Sequence, residues 1–245
     1  MPSQLTTPQS GLGMTAAKET AGSAEGPDDA PVRGRHTIYL GYAAGVGKTY
    51  AMLRDGIARA HAGEDVVVGY LEPHVRPETW ALAGDLEEIP ARVIEYHGGH
   101  FTEPDVDRII ERRPRAVLVD ELAHAAVPGE GHMKRWQDVD ELLVSGIDVC
   151  STLNVQHVER VMPTASQILG VLLRESVPDW LVEEADEVRL IDIDPDELIA
   201  RAKRGCVYSA DVLSRALTHV LRRSTLVALR ELAFELVRER EAHVR

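Results

Sequence analysis

The sequence is poor in the residues that build disulfide frameworks and structural zinc sites. Only two cysteines, Cys150 and Cys206, occur among 245 residues, and their separation fits neither a metal-ligand pair nor a redox motif. The ten histidines show no two-plus-two arrangement of metal ligands. We therefore expect the cysteines to be small buried residues rather than a disulfide, and we predict no zinc site.

Long apolar runs and an excess of positive charge are also absent. No segment approaches the roughly 18 uncharged apolar residues that a membrane-crossing helix needs. The net charge is -13 and the isoelectric point is about 5.2, which argues against nucleic-acid binding by the surface as a whole. These absences predict a cytoplasmic protein with no membrane span and no nucleic-acid partner.

The composition divides the chain into three parts. Residues 1–34 are rich in Ser, Thr, Pro, Gly and Ala and have few large apolar side chains, so burial cannot offset the entropy of ordering them. We expect a disordered tail there, a main domain over residues 35–207 and a helical C-terminal extension over residues 208–245. Apolar stripes in the extension favour packing on the main domain over a partner-binding arm.

Strand-like and helix-like segments alternate through the main domain. Such alternation predicts an α/β fold with a doubly wound, mostly parallel sheet. We expect strands at residues 36–40, 65–71, 91–96, 116–120, 147–154 and 187–192. We expect helices at residues 48–61, from 76–79 onward, and at 106–112, 138–144, 158–169 and 196–204.

A glycine-rich turn follows the first strand and opens the first helix. Residues 41–53 read GYAAGVGKTYAML, which matches a phosphate-binding P-loop except that Tyr42 stands where its first glycine is usual. Glycines let backbone N–H groups converge on phosphates, lysine neutralises their charge, and the threonine hydroxyl ligates Mg²⁺. The turn predicts a fold of P-loop NTPase type that binds ATP. The predicted contacts are Gly45, Val46, Gly47, Lys48, Thr49 and Tyr50.

A second acidic motif strengthens this interpretation. Four apolar residues precede Asp120 and Glu121, as in a buried strand that presents a carboxylate beside bound phosphates. Asp120 would then hold Mg²⁺ together with Thr49, unless it is a turn or capping carboxylate. Glu121 is the candidate catalytic residue that orients or deprotonates a water molecule. Its alternative interpretation is a solvated acidic residue.

Polar side chains also follow two other strands. Asn154 ends the strand at residues 147–154 and is a candidate nucleotide contact, with Gln156 and His157 close behind it. Glu72 and His74 follow the second strand and are weaker candidates for lining the same cleft. All would lie at one edge, because parallel strands end together.

A compact basic cluster interrupts the acidic sequence at residues 132–136, His-Met-Lys-Arg-Trp. Such a cluster fits a docking point for phosphate or an acidic partner. It fits a solvated surface turn equally well.

Taken together, these segments resemble the N-terminal sensor domain of the KdpD family, the osmosensitive potassium-channel histidine kinases. The resemblance spans roughly residues 34–240. It is carried by GYAAGVGKTYAML at residues 41–53, DVVVGYLEPHVRPET at 65–79, VLVDELAH at 117–124, KRWQDVDELL at 134–143, GIDVCSTLNVQHVE at 146–159 and LVALRELA at 226–233.

The resemblance implies an ATP-binding domain of a two-component phosphorelay system that senses potassium limitation or osmotic stress. Its partners would be a histidine kinase core or potassium-uptake components. By matching positions, Gly45, Gly47, Lys48 and Thr49 carry over as ATP contacts, and Asp120 with Glu121 as the second nucleotide motif. Because no phosphoacceptor helix or kinase ATP lid follows, we expect a stand-alone module that acts on a separate kinase.

Two other functions remain open at this point. The chain could be an ATPase or a small-molecule kinase with true turnover on the same fold. It could also be a docking protein whose P-loop no longer binds nucleotide. A regulatory ATP-binding module, in which nucleotide occupancy shifts a switch loop, is the leading hypothesis.

Overall fold

The computed structural model describes residues 32–72, 77–128, 131–204 and 221–243. The predictions for the N-terminal tail up to residue 31, for His74, for Cys206 and for the start of the C-terminal extension lie outside these residues. The strands are β1 (His36–Gly41), β2 (Val66–Tyr70), β3 (Glu87–Glu88), β4 (Arg92–Tyr96), β5 (Gly99–Glu103), β6 (Ala116–Val119), β7 (Asp148–Asn154) and β8 (Glu187–Leu190). The α-helices are α1 (Lys48–His61), α2 (Pro77–Ala83), α3 (Val106–Arg112), α4 (Arg135–Val144), α5 (Met162–Leu169), α6 (Asp179–Glu183), α7 (Pro195–Lys203) and α8 (Arg223–His243).

Six strands form one sheet in the order β3-β2-β6-β7-β1-β8. All five pairings within this sheet are parallel, which confirms the predicted α/β fold with a mostly parallel sheet. The chain runs from β1 across to β2 and returns through β6 and β7, so β1 lies between β7 and β8. The reversal of direction beside β1 leaves a crevice at the carboxyl ends of the strands, where ligands bind in open α/β sheets.

Helices cover both faces of this sheet. Successive strand residues point to opposite faces, so Ile38 belongs to one hydrophobic cluster and Tyr39 to the other. On the Tyr39 face the strands pack against Met52 of α1 and Ala83 of α2. The Ile38 face carries the larger cluster, to which α4, α5, α7 and α8 contribute Leu142, Ala165, Leu198 and Leu229.

The strand predicted at residues 91–96 is present, but it lies outside the main sheet. It pairs antiparallel with β5 in a separate hairpin. His97 and Gly98 join the two strands with φ of 48° and 77°, as a two-residue turn with two left-handed positions requires. Most residues of the hairpin are at least partly exposed, and a strand in the middle of a parallel sheet would be buried on both faces.

One further prediction is corrected at the level of its boundary. The helix expected over residues 158–169 begins only at Met162, after a short 3₁₀ turn at Val155–His157, and Pro163 suits its first turn. Helix α8 covers Arg223–His243, and its buried Leu226 and Leu236 pack into the core. Among the described residues, no helix has the length and apolar character needed to cross a membrane.

Candidate functional site

The glycine-rich loop leaves β1 and turns directly into α1. Gly45 and Gly47 have φ of 87° and 107°, a region that side chains disfavour. A Cβ on Gly41 would lie 2.6 Å from Cγ2 of Val46, so the loop closes tightly only with glycine there. Tyr42 is buried and its hydroxyl donates to the carbonyl of Ile193 at 2.8 Å. The tyrosine therefore anchors the loop in the core, with its hydroxyl bound to Ile193.

Lys48 begins α1 and is only 9% exposed. Its Nζ donates to Oδ1 of Asn154 at 2.7 Å and to the carbonyl of Ala43 at 3.3 Å. Burial lowers the pKa of Lys48, while the carboxylates of Asp120 and Glu121 act in the opposite direction. A desolvated ammonium at a helix N-terminus is well suited to an anionic ligand.

Asp120 follows β6, yet it meets the start of α1. Oγ1 of Thr49 lies 3.1 and 3.2 Å from the two carboxylate oxygens, although β7 separates β1 from β6. The hydroxyl of Thr152 on β7 donates to the same carboxylate at 2.5 Å. Burial raises the pKa of Asp120, whereas the Thr152 hydrogen bond and Lys48 lower it. A hydroxyl and a carboxylate at this distance fit the preference of Mg²⁺ for oxygen ligands.

Glu121 occupies an unusual backbone conformation beside this pair. Its φ is 53°, and its N–H donates to Oγ1 of Thr152 at 3.0 Å. The residue as a whole is solvent accessible, but its carboxyl group faces the concave site. Burial there, followed by repulsion from Glu72 and Asp120, raises its pKa to about 7. A carboxyl group with such a pKa exchanges protons readily near neutral pH.

One cavity of about 50 Å³ brings these groups together. Tyr50 does not line it, since its side chain is half exposed on α1. Gly45, Val46 and Gly47 form the neighbouring loop rather than the cavity wall. The cavity-lining residues that the sequence predicted are Lys48, Thr49, Asp120, Glu121, Asn154 and His157.

The basic cluster at residues 132–136 is only partly exposed, and its arginine lies in the interior. Arg135 is fully buried, and its guanidinium donates to Glu72 at 2.9 Å and to Glu103 at 3.1 Å. It also stacks 4.0 Å from the ring centre of Tyr70. Burial opposes the charge, but Tyr70 and the two carboxylates outweigh it, so the pKa of Arg135 is raised. His132 pairs with Asp138 at 2.9 Å.

Sequence reasoning named Glu72 but missed Glu103 and His124. Glu103 ends the hairpin and receives a hydrogen bond from Nε2 of His124 at 3.2 Å. Burial raises the pKa of Glu103, but the His124 and Arg135 contacts outweigh it and hold that pKa below its usual range. Glu72, Glu121 and His124 also place one potential metal-binding atom each within 4.8 Å of one another. Glu121 and His124 both follow β6, whereas Glu72 follows β2, and no local sequence pattern links Glu72 to the other two.

The sequence also matches a described protein family. A model of the family described as "KdpD: Osmosensitive K+ channel His kinase sensor domain" matches residues 32–240. The chain belongs to the KdpD sensor-domain family. This membership confirms the resemblance that the sequence motifs indicated.

Curated members of the KdpD family are similar over most of this chain. The "Sensor protein KdpD" of Escherichia coli K12 is 45% identical over 86% of the chain and 24% of its own length. That of Mycobacterium tuberculosis H37Rv is 47% identical over 82% of the chain and 23% of its own length. The "Putative sensor protein KdpD" of Synechocystis is 46% identical over 84% of the chain and 55% of its own length. The chain thus spans about a quarter to a half of these relatives.

Proposed function

We propose that this chain is an ATP- and Mg²⁺-binding regulatory domain of a KdpD-type two-component system. In this proposal it acts in the cytoplasm, responds to potassium limitation or osmotic stress, and modulates a histidine kinase core or a potassium-uptake component. Membership in the KdpD family supports the signalling context.

The proposal of ATP binding depends chiefly on the contact between Thr49 and Asp120. These residues are 71 positions apart, yet the hydroxyl lies within 3.2 Å of both carboxylate oxygens. Lys48 stands next to Thr49 with its ammonium in the same cavity. Hydroxyl, carboxylate and ammonium groups at a helix N-terminus are the set that a magnesium-bound triphosphate requires.

The chemistry of these residues fits ATP and Mg²⁺. The positive φ of Gly47 and the close approach at Gly41 are the features of a backbone that wraps around phosphate. Lys48 would bind phosphate oxygens, and Thr49 with Asp120 would hold Mg²⁺. The Mg²⁺ ion supplies charge neutralisation at the phosphates. Asn154 accepts a hydrogen bond from the Lys48 ammonium. This hydrogen bond would lengthen or break if the ammonium moved toward a ligand.

Calorimetric titration with ATP, with and without Mg²⁺, tests the proposal. Lys48→Ala removes a charged hydrogen bond worth about 1.5–3 kcal/mol, so we expect ATP affinity to fall about 10- to 100-fold. Lys203→Ala is the matched control, because Lys203 is exposed at the end of α7. Equal ATP affinity for wild type and Lys48→Ala would contradict the proposal. If the wild type does not bind ATP at all, the remaining interpretation is a docking protein whose loop no longer binds nucleotide.

A second candidate function is ATP hydrolysis. It is favoured by Glu121, whose carboxyl group lines the cavity and has a pKa of about 7. A carboxylate in that position is suited to accept a proton from an attacking water molecule. Release of phosphate over many turnovers, lost in Glu121→Gln while ATP binding persists, would support an ATPase. Binding without turnover in the wild type would support the regulatory module alone.

A further inference from the structure

Arg135 contacts the turn that carries both acidic residues of the candidate site. One guanidinium nitrogen donates to the carbonyl of Asp120 at 3.1 Å and lies 3.4 Å from that of Glu121. The same nitrogen contacts Glu72 after β2. The other terminal nitrogen contacts Glu103 at the end of the hairpin. A single side chain therefore joins the ends of β2, β5 and β6.

Burying the Arg135 guanidinium costs free energy, so we looked for a function that this side chain serves. A fully buried guanidinium gives up its hydration, and a buried ion pair is frequently no more stabilising than apolar packing. The turn beneath it is also strained, since Glu121 has a φ of 53°. Strained backbone persists where neighbouring groups hold it in place. The two carbonyl contacts from Arg135 are groups of this kind.

We propose that Arg135 is a positioning residue of the nucleotide site. Its guanidinium holds the turn so that the carboxylate of Asp120 faces Thr49 and the carboxylate of Glu121 faces the cavity. Through Glu103, the position of this turn also depends on the β4–β5 hairpin. This inference rests on the proposed function, because it assigns Arg135 to the Mg²⁺-dependent part of ATP binding.

Two parts of ATP binding should respond differently to loss of Arg135. The glycine loop and Lys48 are held by β1 and α1 and do not contact Arg135 directly. Asp120 is held by its turn. A displaced turn therefore weakens Mg²⁺ binding at Asp120 but leaves the Mg²⁺-free contacts to phosphate in place.

The experiment measures ATP affinity by calorimetry in Mg²⁺ and in EDTA, and reports the ratio as the Mg²⁺ enhancement. Arg135→Lys keeps a buried charge but cannot reach two carboxylates and two carbonyls at once. We expect its Mg²⁺ enhancement to fall about tenfold or more while affinity in EDTA changes less than about twofold. Glu103→Gln should reduce the enhancement in the same direction by a smaller factor.

Arg59→Met is the matched control for loss of a partly buried ion pair. Arg59 contacts Glu64 and Cys150 at the opposite end of α1 from Lys48. We expect Arg59→Met to lower the thermal midpoint while the Mg²⁺ enhancement stays at its wild-type value. A thermal melt of each variant establishes that the protein tested is folded. Glu103→Gln keeps the size and shape of the side chain, so it provides the test if Arg135→Lys does not fold.

The outcomes separate this inference from the proposed function. An unchanged Mg²⁺ enhancement in the folded Arg135 or Glu103 variant would overturn the positioning role and leave ATP binding standing. Equal losses of affinity in Mg²⁺ and in EDTA would also overturn it, because they indicate general damage. Absence of ATP binding in the wild type would overturn both.

Discussion

Replacement of Glu121 by glutamine should stabilise the ligand-free protein at alkaline pH. The carboxyl group of Glu121 lies in the concave site near Glu72 and Asp120, and burial with their repulsion raises its pKa to about 7. The ionised form is therefore disfavoured in the folded state. Glutamine keeps the size of the side chain and removes the charge, so it imitates the protonated form at every pH.

The sign follows from proton binding in the two states. Between the unfolded pKa of 4.5 and the folded pKa of about 7, the folded protein binds more protons, so its stability falls as pH rises through this window. At face value the displacement corresponds to about 3 kcal/mol. Glu121 is more than a third exposed, and solvent screening reduces this to about 1 kcal/mol. For a domain of this size that is about 2–4 °C in the thermal midpoint.

Thermal or urea unfolding of wild type and Glu121→Gln at pH 5 and pH 8.5 measures this effect. We expect the variant to match the wild type at pH 5 and to exceed it by about 1 kcal/mol at pH 8.5. Glu235→Gln, an exposed position on α8, controls for the loss of one negative charge. If the curves of wild type and Glu121→Gln stay parallel between the two pH values, the assignment of a raised pKa is wrong.

Two further predictions concern the loop and the sheet. Gly41→Ala should cost about 1–3 kcal/mol, because a Cβ there meets Val46 at 2.6 Å. Gly84→Ala should be close to neutral, since its Cβ meets Ala81 at 3.5 Å, and equal losses in urea unfolding would refute the packing argument. Burial lowers the pKa of His36 from 6.5 to about 3, so the free energy of unfolding falls by up to about 1.4 kcal/mol per pH unit as the pH drops from 6.5 toward 3. The His36→Gln variant should lack this pH dependence of stability. Acid-unfolding curves that are the same for wild type and variant would contradict the lowered pKa.

Much of the fold follows from the sequence because its strands are continuous apolar runs. Residues 66–70 and 116–119 are buried along their whole length, which is typical of the middle of a parallel sheet. The sequence did not predict that residues 92–103 form a separate hairpin, because a short apolar run does not reveal which strand it pairs with. The turn at His97 and Gly98 is only weakly marked in the sequence, because just its second position holds the favoured residue, glycine.

Sequence patterns alone predicted that Thr49, Asp120 and Asn154 lie near one another. Asp120 follows β6, Asn154 ends β7 and Thr49 lies in the first turn of α1 after the β1 loop, and parallel strands present their carboxyl ends at one edge of the sheet. Only the three-dimensional structure shows that Arg135, which stands among surface-like residues in the sequence, is fully buried. Its carboxylate partners lie 63 and 32 residues away. A charged side chain can be buried only where such partners converge, and no local pattern encodes that convergence.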